Sequence, residues 1–273
     1  MPSAYRQWVT IVTNYSKGQL TEESDRLIAL YGVAQWMKQK LIHDEYIAGL
    51  WKGHLLNQLL WMTYPNLKKR RPDKYRAPSW SWASVIGKVS FRDILEAEEQ
   101  EKTARVVEVK VDSAKGKEGQ ITGGSLKIHS KAVEVTWTSW ELARSKPSSS
   151  VRTGNNEFAW PWNDEWTTNP SENFSFNIEG KIFNFTGFPD VEPDGFQNGE
   201  TLCIAIQKST ETKESTGTLR ETTGTGTWSC IVEGLVLKED GIKTFKRIGC
   251  FVAYGDGAKY FLEKSTKREV EIS

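Results

Sequence analysis

The hydrophobic pattern of this chain changes its period once, and that change constrains the fold more than any other feature. Up to Met62 the apolar residues recur at three- and four-residue steps, and from Ala77 onward they alternate. The first spacing puts side chains on one face of a helix, the second on one face of a strand. Helices followed by strands, rather than an alternation of the two, predict an α+β fold. Its N-terminal helical segment packs on a mostly antiparallel β-sandwich or barrel.

Three helices are expected in residues 1–66. In the first, Trp8, Ile11, Val12 and Tyr15 share a face and Gly18 closes the end. In the second, Thr21 is the N-cap, Glu22 and Glu23 sit in the first turn, and Leu27, Leu30, Tyr31 and Ala34 form the stripe. The third carries Ile47, Leu50, Trp51, Leu55, Leu59 and Met62 along one side and stops at Pro65. Residues 67–76 form a polar connection bracketed by prolines. Its basic run, Lys68 to Arg71, reads as a solvated loop rather than a nuclear localisation signal, since basic runs are common on solvated faces.

Residues 77–273 read as strands. Val107, Val109 and Val111 alternate with Glu108 and Lys110, giving a strand with one wet face. In "SLKIHSKAVEVTW" the apolar parity slips between Ile128 and Val133, as a β-bulge near Lys131 would cause. "FSFNIEGKIFNF" predicts a hairpin at Glu179-Gly180-Lys181, and "TLCIAIQ", "WSCIVEGLVL" and "TFKRIGCFVAY" add three strands. Residues 209–227 are nearly all Thr, Ser, Gly and charge, and predict a mobile loop.

At the boundary stands "RAPSWSWASVIGKV", two indoles one residue apart among small side chains. As a strand it would turn Trp80 and Trp82 to one face and Ser79, Ser81 and Ala83 to the other. The large row would plug the junction between the helices and the sheet, making both parts one cooperative unit. That is a core signature and requires no ligand.

A formal charge of +1 leaves no electrostatic footprint for nucleic acid or an anionic membrane. No apolar run reaches the length that spans a bilayer. The start lacks the basic and apolar regions of a signal peptide, so a cytoplasmic chain is expected, with Cys203, Cys230 and Cys250 reduced. No phosphate loop, dinucleotide-binding glycine pattern or nucleophile elbow occurs. His43, His54 and His129 are too scattered to suggest a zinc site, and His54 reads as a packed core imidazole. Neither a cofactor nor a catalytic residue is expected. The alternative is a carbohydrate-binding module on "FAWPWNDEW", with Trp160, Trp162 and Trp166 stacking on sugar rings and Asp164 meeting hydroxyls.

Four segments carry a family likeness: "LTEESDRLIALYGVA", "YIAGLWKGHLLNQLLW", "RAPSWSWASVIGKV" and "VEGLVLKEDGIKTFKRIGCF". In that order they resemble fungal heterokaryon incompatibility (HET) domain proteins, in the region downstream of the HET domain itself. The likeness is dense to about Val89 and sparse afterwards. Its defining positions are Asp25, Arg26, Leu27, Trp51, Trp61, Pro78, Trp80, Trp82 and Gly87. It implies a role in fungal non-self recognition and in cell death after incompatible hyphae fuse, with a protein partner possible. The family's effector motifs, resembling Leu-Ser-Tyr-x-Trp-Gly and Trp-Ile-Asp-x-x-Cys-Ile-Asn-Gln, do not occur here. The likeness therefore implies a truncated, non-catalytic C-terminal region, and no catalytic residue is carried over.

Overall fold

The computed structural model describes residues 3–18, 20–63, 69–91, 100–115, 119–138, 173–191, 200–212 and 228–273. The N-terminal part holds helices α1 (Ser3–Ser16) and α2 (Arg26–Lys38), strands β1 (Tyr46–Ile47) and β2 (Leu50–Trp51), a single helical turn α3 (Leu55–Gln58) and strand β3 (Trp61–Thr63). Then come β4 (Val89–Phe91), β5 (Glu101–Lys102), β6 (Arg105–Ser113), β7 (Ile121–Thr138), β8 (Asn173–Ile178), β9 (Lys181–Pro189), β10 (Glu200–Thr212), β11 (Trp228–Glu239) and β12 (Thr244–Tyr254). Helix α4 (Gly255–Lys264) and strand β13 (Thr266–Ile272) complete the order. The molecule is α+β, with N-terminal helices beside a large, mostly antiparallel sheet.

Helix α1 buries Trp8 and Val12 on the expected face. Helix α2 begins at Arg26 rather than beside Thr21, because Glu23–Asp25 form a separate 3-10 turn. The expected third helix is absent. Ala48 and Gly49 both take positive φ, 46° and 93°, so β1 and β2 fold back as a two-residue hairpin. Ile47, Leu50, Trp51, Leu55, Leu59 and Met62 are all buried, but so are Leu60 and Trp61 beside them. A segment that buries apolar residues on more than one side mimics a helical stripe without being one. The described residues up to Thr63 are thus only partly helical. β3 pairs with β4 beyond the connection.

Among the described residues, nine strands share one sheet. The pairings β7–β8, β8–β9, β9–β12, β12–β11, β11–β10 and β10–β7 return to their starting strand, the topology of a barrel. β10 to β12 are buried on both faces. Leu202, Ile204, Leu235, Leu237 and Cys250 join a hydrophobic cluster with the N-terminal part, which includes Trp8, Trp51, Trp61, Trp80 and Trp82. Cys203, Ala205, Val232, Val236 and Phe251 face a second cluster with Trp137, Phe176, Phe185 and Phe261 of α4. Two-sided burial explains the near-continuous apolar runs of these strands.

The parity slip in β7 has a different cause from the expected bulge. Its register with β13 runs unbroken to Ala132, and its register with β10 runs unbroken from Ala132. Leu126 and Ile128 face the first cluster, whereas Val133, Val135 and Trp137 face the second. The strand changes core, not register. A bulge does occur in β6, where Val107 has no opposite residue and turns outward, 40% exposed. Ser209 to Thr212, expected in the loop, continue β10 opposite Trp228 to Ile231, since ladder bonds hold polar residues without burying them. The remainder of the expected loop lies outside the described residues. So do Trp160, Trp162, Asp164 and Trp166.

Candidate functional site: a tryptophan–arginine junction

The segment around the paired indoles is not a strand. Residues 79–80 turn, and Trp82–Ser84 form a 3-10 turn capped by Ser81, whose Oγ accepts from the Ala83 N–H at 3.1 Å. Serine caps compete with ladder formation, so alternation alone misassigns this stretch. Trp80 and Trp82 still bury completely, in different directions.

Trp82 reaches the β1–β2 hairpin. Its Nε1 donates to the Gly49 carbonyl at 2.9 Å, and Trp8 Nε1 of α1 donates to the same oxygen at 3.2 Å. Ser81 Oγ donates to the neighbouring Ala48 carbonyl at 2.6 Å. A Cβ on Gly49 would lie 2.6 Å from Trp82 Nε1 and 3.1 Å from Leu27 Cδ2, so the contact requires glycine. Trp51 continues the cluster edge-on to Trp8, with ring centroids 5.7 Å apart. On the other side, Pro78 and Trp80 press on β7, where a Cβ on Gly124 would lie 2.7 Å from Pro78 Cγ. The Trp80 carbonyl accepts from Trp61 Nε1 at 2.9 Å. Gly87, at φ 139°, turns the chain from its bridge at Ile86 into β4.

Two guanidiniums are buried in this junction. Arg26 donates to the carbonyls of Val85 and Ser16, and Arg76 to those of Ala83, Glu23 and Val85. Arg26 also lies 5.7 Å from the centroid of the Trp82 ring. Burial, together with the neighbouring Arg26 charge, pulls Arg76 down to about 10. Asp25 itself is exposed, and Leu27 is buried. These arginines act as multivalent clamps on backbone carbonyls.

A third guanidinium fastens the junction to the sheet. Arg247 of β12 stacks 3.3 Å from the Trp61 ring centroid, donates to the Trp61 carbonyl at 2.5 Å and lies 3.1 Å from Asp190 Oδ1. Arg71 reaches Asp190 Oδ2 at 3.3 Å, the Arg247 carbonyl at 2.8 Å and Ser84 Oγ at 2.7 Å. Burial pushes the Asp190 carboxyl up, against the opposing pull of Arg247, Arg71 and Lys69. Ser79 Oγ accepts from the Arg247 N–H at 2.9 Å and donates to the Ser273 carbonyl, tying β12 and β13 to the same turn. Of the basic run, Lys69 to Arg71 are not merely solvated: Lys69 donates to the Pro189 carbonyl at 2.9 Å, and Arg70 pairs with Glu23 at 2.5 Å; Lys68 lies outside the described residues.

No protein-family model, curated protein or solved structure matches this chain. What the junction can do must be read from its own chemistry. Its serine hydroxyls, its guanidiniums and the indoles of Trp8, Trp61 and Trp82 are engaged with backbone carbonyls, one another and Asp190, whereas the Nε1 atoms of Trp51 and Trp80 are buried without a hydrogen-bond partner. Burial pushes the thiols of Cys203 and Cys230 up, away from the reactive thiolate. Among the described residues no group of three or more His, Cys, Asp and Glu could hold a metal ion. None of their helices is long and apolar enough to cross a membrane. His54 is half-buried, not fully packed, with its ring 4.0 Å from that of Tyr5.

The junction gathers every position of the expected motif except exposed Asp25. Sequence reasoning missed Arg71, Arg76, Asp190 and Arg247. Arg76 had a local signal, a lone arginine beside the proline of the tryptophan block. Arg247 and Asp190 had none, because their partners lie far away along the chain.

Proposed function

We propose that this chain is a non-catalytic region of a HET-type protein of fungal non-self recognition, acting as a structural or regulatory companion to an effector domain. One observation carries the reading. The four segments that resemble the HET-type region, distant in sequence, supply Arg26, Trp51, Trp61, Trp80, Trp82 and Arg247, which share one buried junction. A likeness whose defining positions, Asp25 aside, meet at a buried junction is a likeness of scaffold, and a scaffold of this kind positions an effector rather than replacing it. A cytoplasmic setting belongs to the same reading, as does a protein partner that triggers the response.

The test is expression in a fungal host, with viability and dinucleotide pools measured for the chain alone and for the chain joined behind a HET effector domain. The chain alone is expected to leave both unchanged. The fusion is expected to kill, and to lose that effect when Trp82→Ala disrupts the junction. Death caused by the chain alone, and abolished by a point substitution in it, would overturn the proposal.

A further inference from the structure

Among the described residues β6 pairs with β7 alone, whereas β7 carries β13 on its other side. The far edge of β6 therefore presents backbone N–H and C=O groups that no described strand takes up, a template for another strand. Edges are commonly blunted by bulges and charges, and β6 has both, but neither closes it. The Val107 bulge lies toward one end and leaves Glu108 to Ser113 as a continuous run. Along that run Val109 and Val111 pack toward the first cluster, so Glu108, Lys110 and Asp112 share the opposite face.

Those charges alternate in sign. An edge of one sign repels a copy of itself, whereas an alternating one can match it. The sheet also leaves these side chains little to meet across the strand. Lys110, Val111 and Asp112 stand opposite Ser125, Gly124 and Gly123 of β7. Lys110 pairs instead along its own strand, with Glu108 at 2.9 Å, and Val109 and Val111 are only half-buried.

We propose that this edge pairs with the same edge of a second copy, antiparallel, about a two-fold axis through Val111. Such an interface is self-complementary, and directly opposite side chains lie on one face of the joined sheet. Lys110 then stands opposite the partner's Asp112, and Asp112 opposite the partner's Lys110. Val111 meets Val111, and Val109 meets Ser113. The other registers fit less well. An axis through Lys110 sets that lysine against itself and Glu108 against Asp112, and one through Glu108 opposes two glutamates. An axis through Val109 sets the Val107 bulge of each copy against Val111 of the other, where the ladder breaks.

Analytical ultracentrifugation of the full chain over about 1 to 500 μM suits so short an interface, which forms a weak dimer. A monomer–dimer equilibrium that salt weakens is expected. Lys110→Glu turns both charge pairs into acid against acid and should weaken the dimer about tenfold. Lys110→Glu combined with Asp112→Lys reverses both pairs and should restore it. Both positions are exposed, so thermal melts of these variants at low concentration should match the parent. Hydrogen exchange locates the contact, since the peptide from Val106 to Ser113 should gain protection as concentration rises. Overturning results are a monomer throughout the range, a dimer that Lys110→Glu leaves unchanged, or a double variant that fails to recover association.

Discussion

Trp82 does two things in the junction at once, since its indole fills the core and donates to the Gly49 carbonyl. Trp82→Ala should cost ~3–5 kcal/mol, the usual penalty for emptying a large aromatic site. Ser81→Ala should cost about 1–2 kcal/mol, since it removes the 3-10 cap and leaves the buried Ala48 carbonyl without that donor. Thermal melts of both variants check the ranking. Two phenols add a pH dependence. Tyr5, buried and donating to Asp44 at 2.6 Å, is raised to about 12, and Tyr46, whose hydroxyl is buried, is raised as well. Both hold their protons more tightly folded than unfolded, where phenols titrate near 10. Their stabilisation is complete below pH 10 and is lost as pH rises through 12. Denaturant melts should therefore show stability falling over that window, and less steeply in Tyr5→Phe.

At the scale of elements, β3, β9 and β12 and the connection before the tryptophan turn meet at Asp190 and Arg247. Asp190→Asn removes the counter-charge of a buried guanidinium and should cost ~3–5 kcal/mol, whereas Arg247→Met with Asp190→Leu should recover most of it. Urea midpoints of the single and double variants would separate a required ion pair from a replaceable one. The sequence made α1 legible because its periodicity matches its burial, and β10 to β12 because short apolar runs bounded by polar and turn residues read as strands buried on both faces. It misread the stretch from Tyr46 to Met62, where burial on more than one side imitates a helical stripe and only Gly49 hints at a turn. It also misread β7, whose parity changes because the strand passes from one core to the other. The Trp80–Trp82 junction was visible as a demand for burial. Its geometry was not, since Ser81 turns the chain by a local hydrogen bond that competes with a strand. Arg247 and Asp190 were hidden because only the folded chain brings them together.

At the scale of the whole molecule, the N-terminal part and the sheet are expected to unfold as one cooperative unit. The strands that bury one face in the cluster of Trp8, Trp61 and Trp82 bury the other in the cluster of Phe176 and Phe261, so the two cores share a wall. Loss of the junction would strip the first face of β10 and β11 and expose their apolar side chains to water. Native-state hydrogen exchange with increasing urea measures this directly, through peptides covering Leu55 to Thr63 and Ile231 to Leu237. The slowest amides of both are expected to merge into one opening with the same free energy and the same urea dependence. Full exchange of the Leu55–Thr63 peptide at urea concentrations where Ile231 to Leu237 remain protected would contradict it.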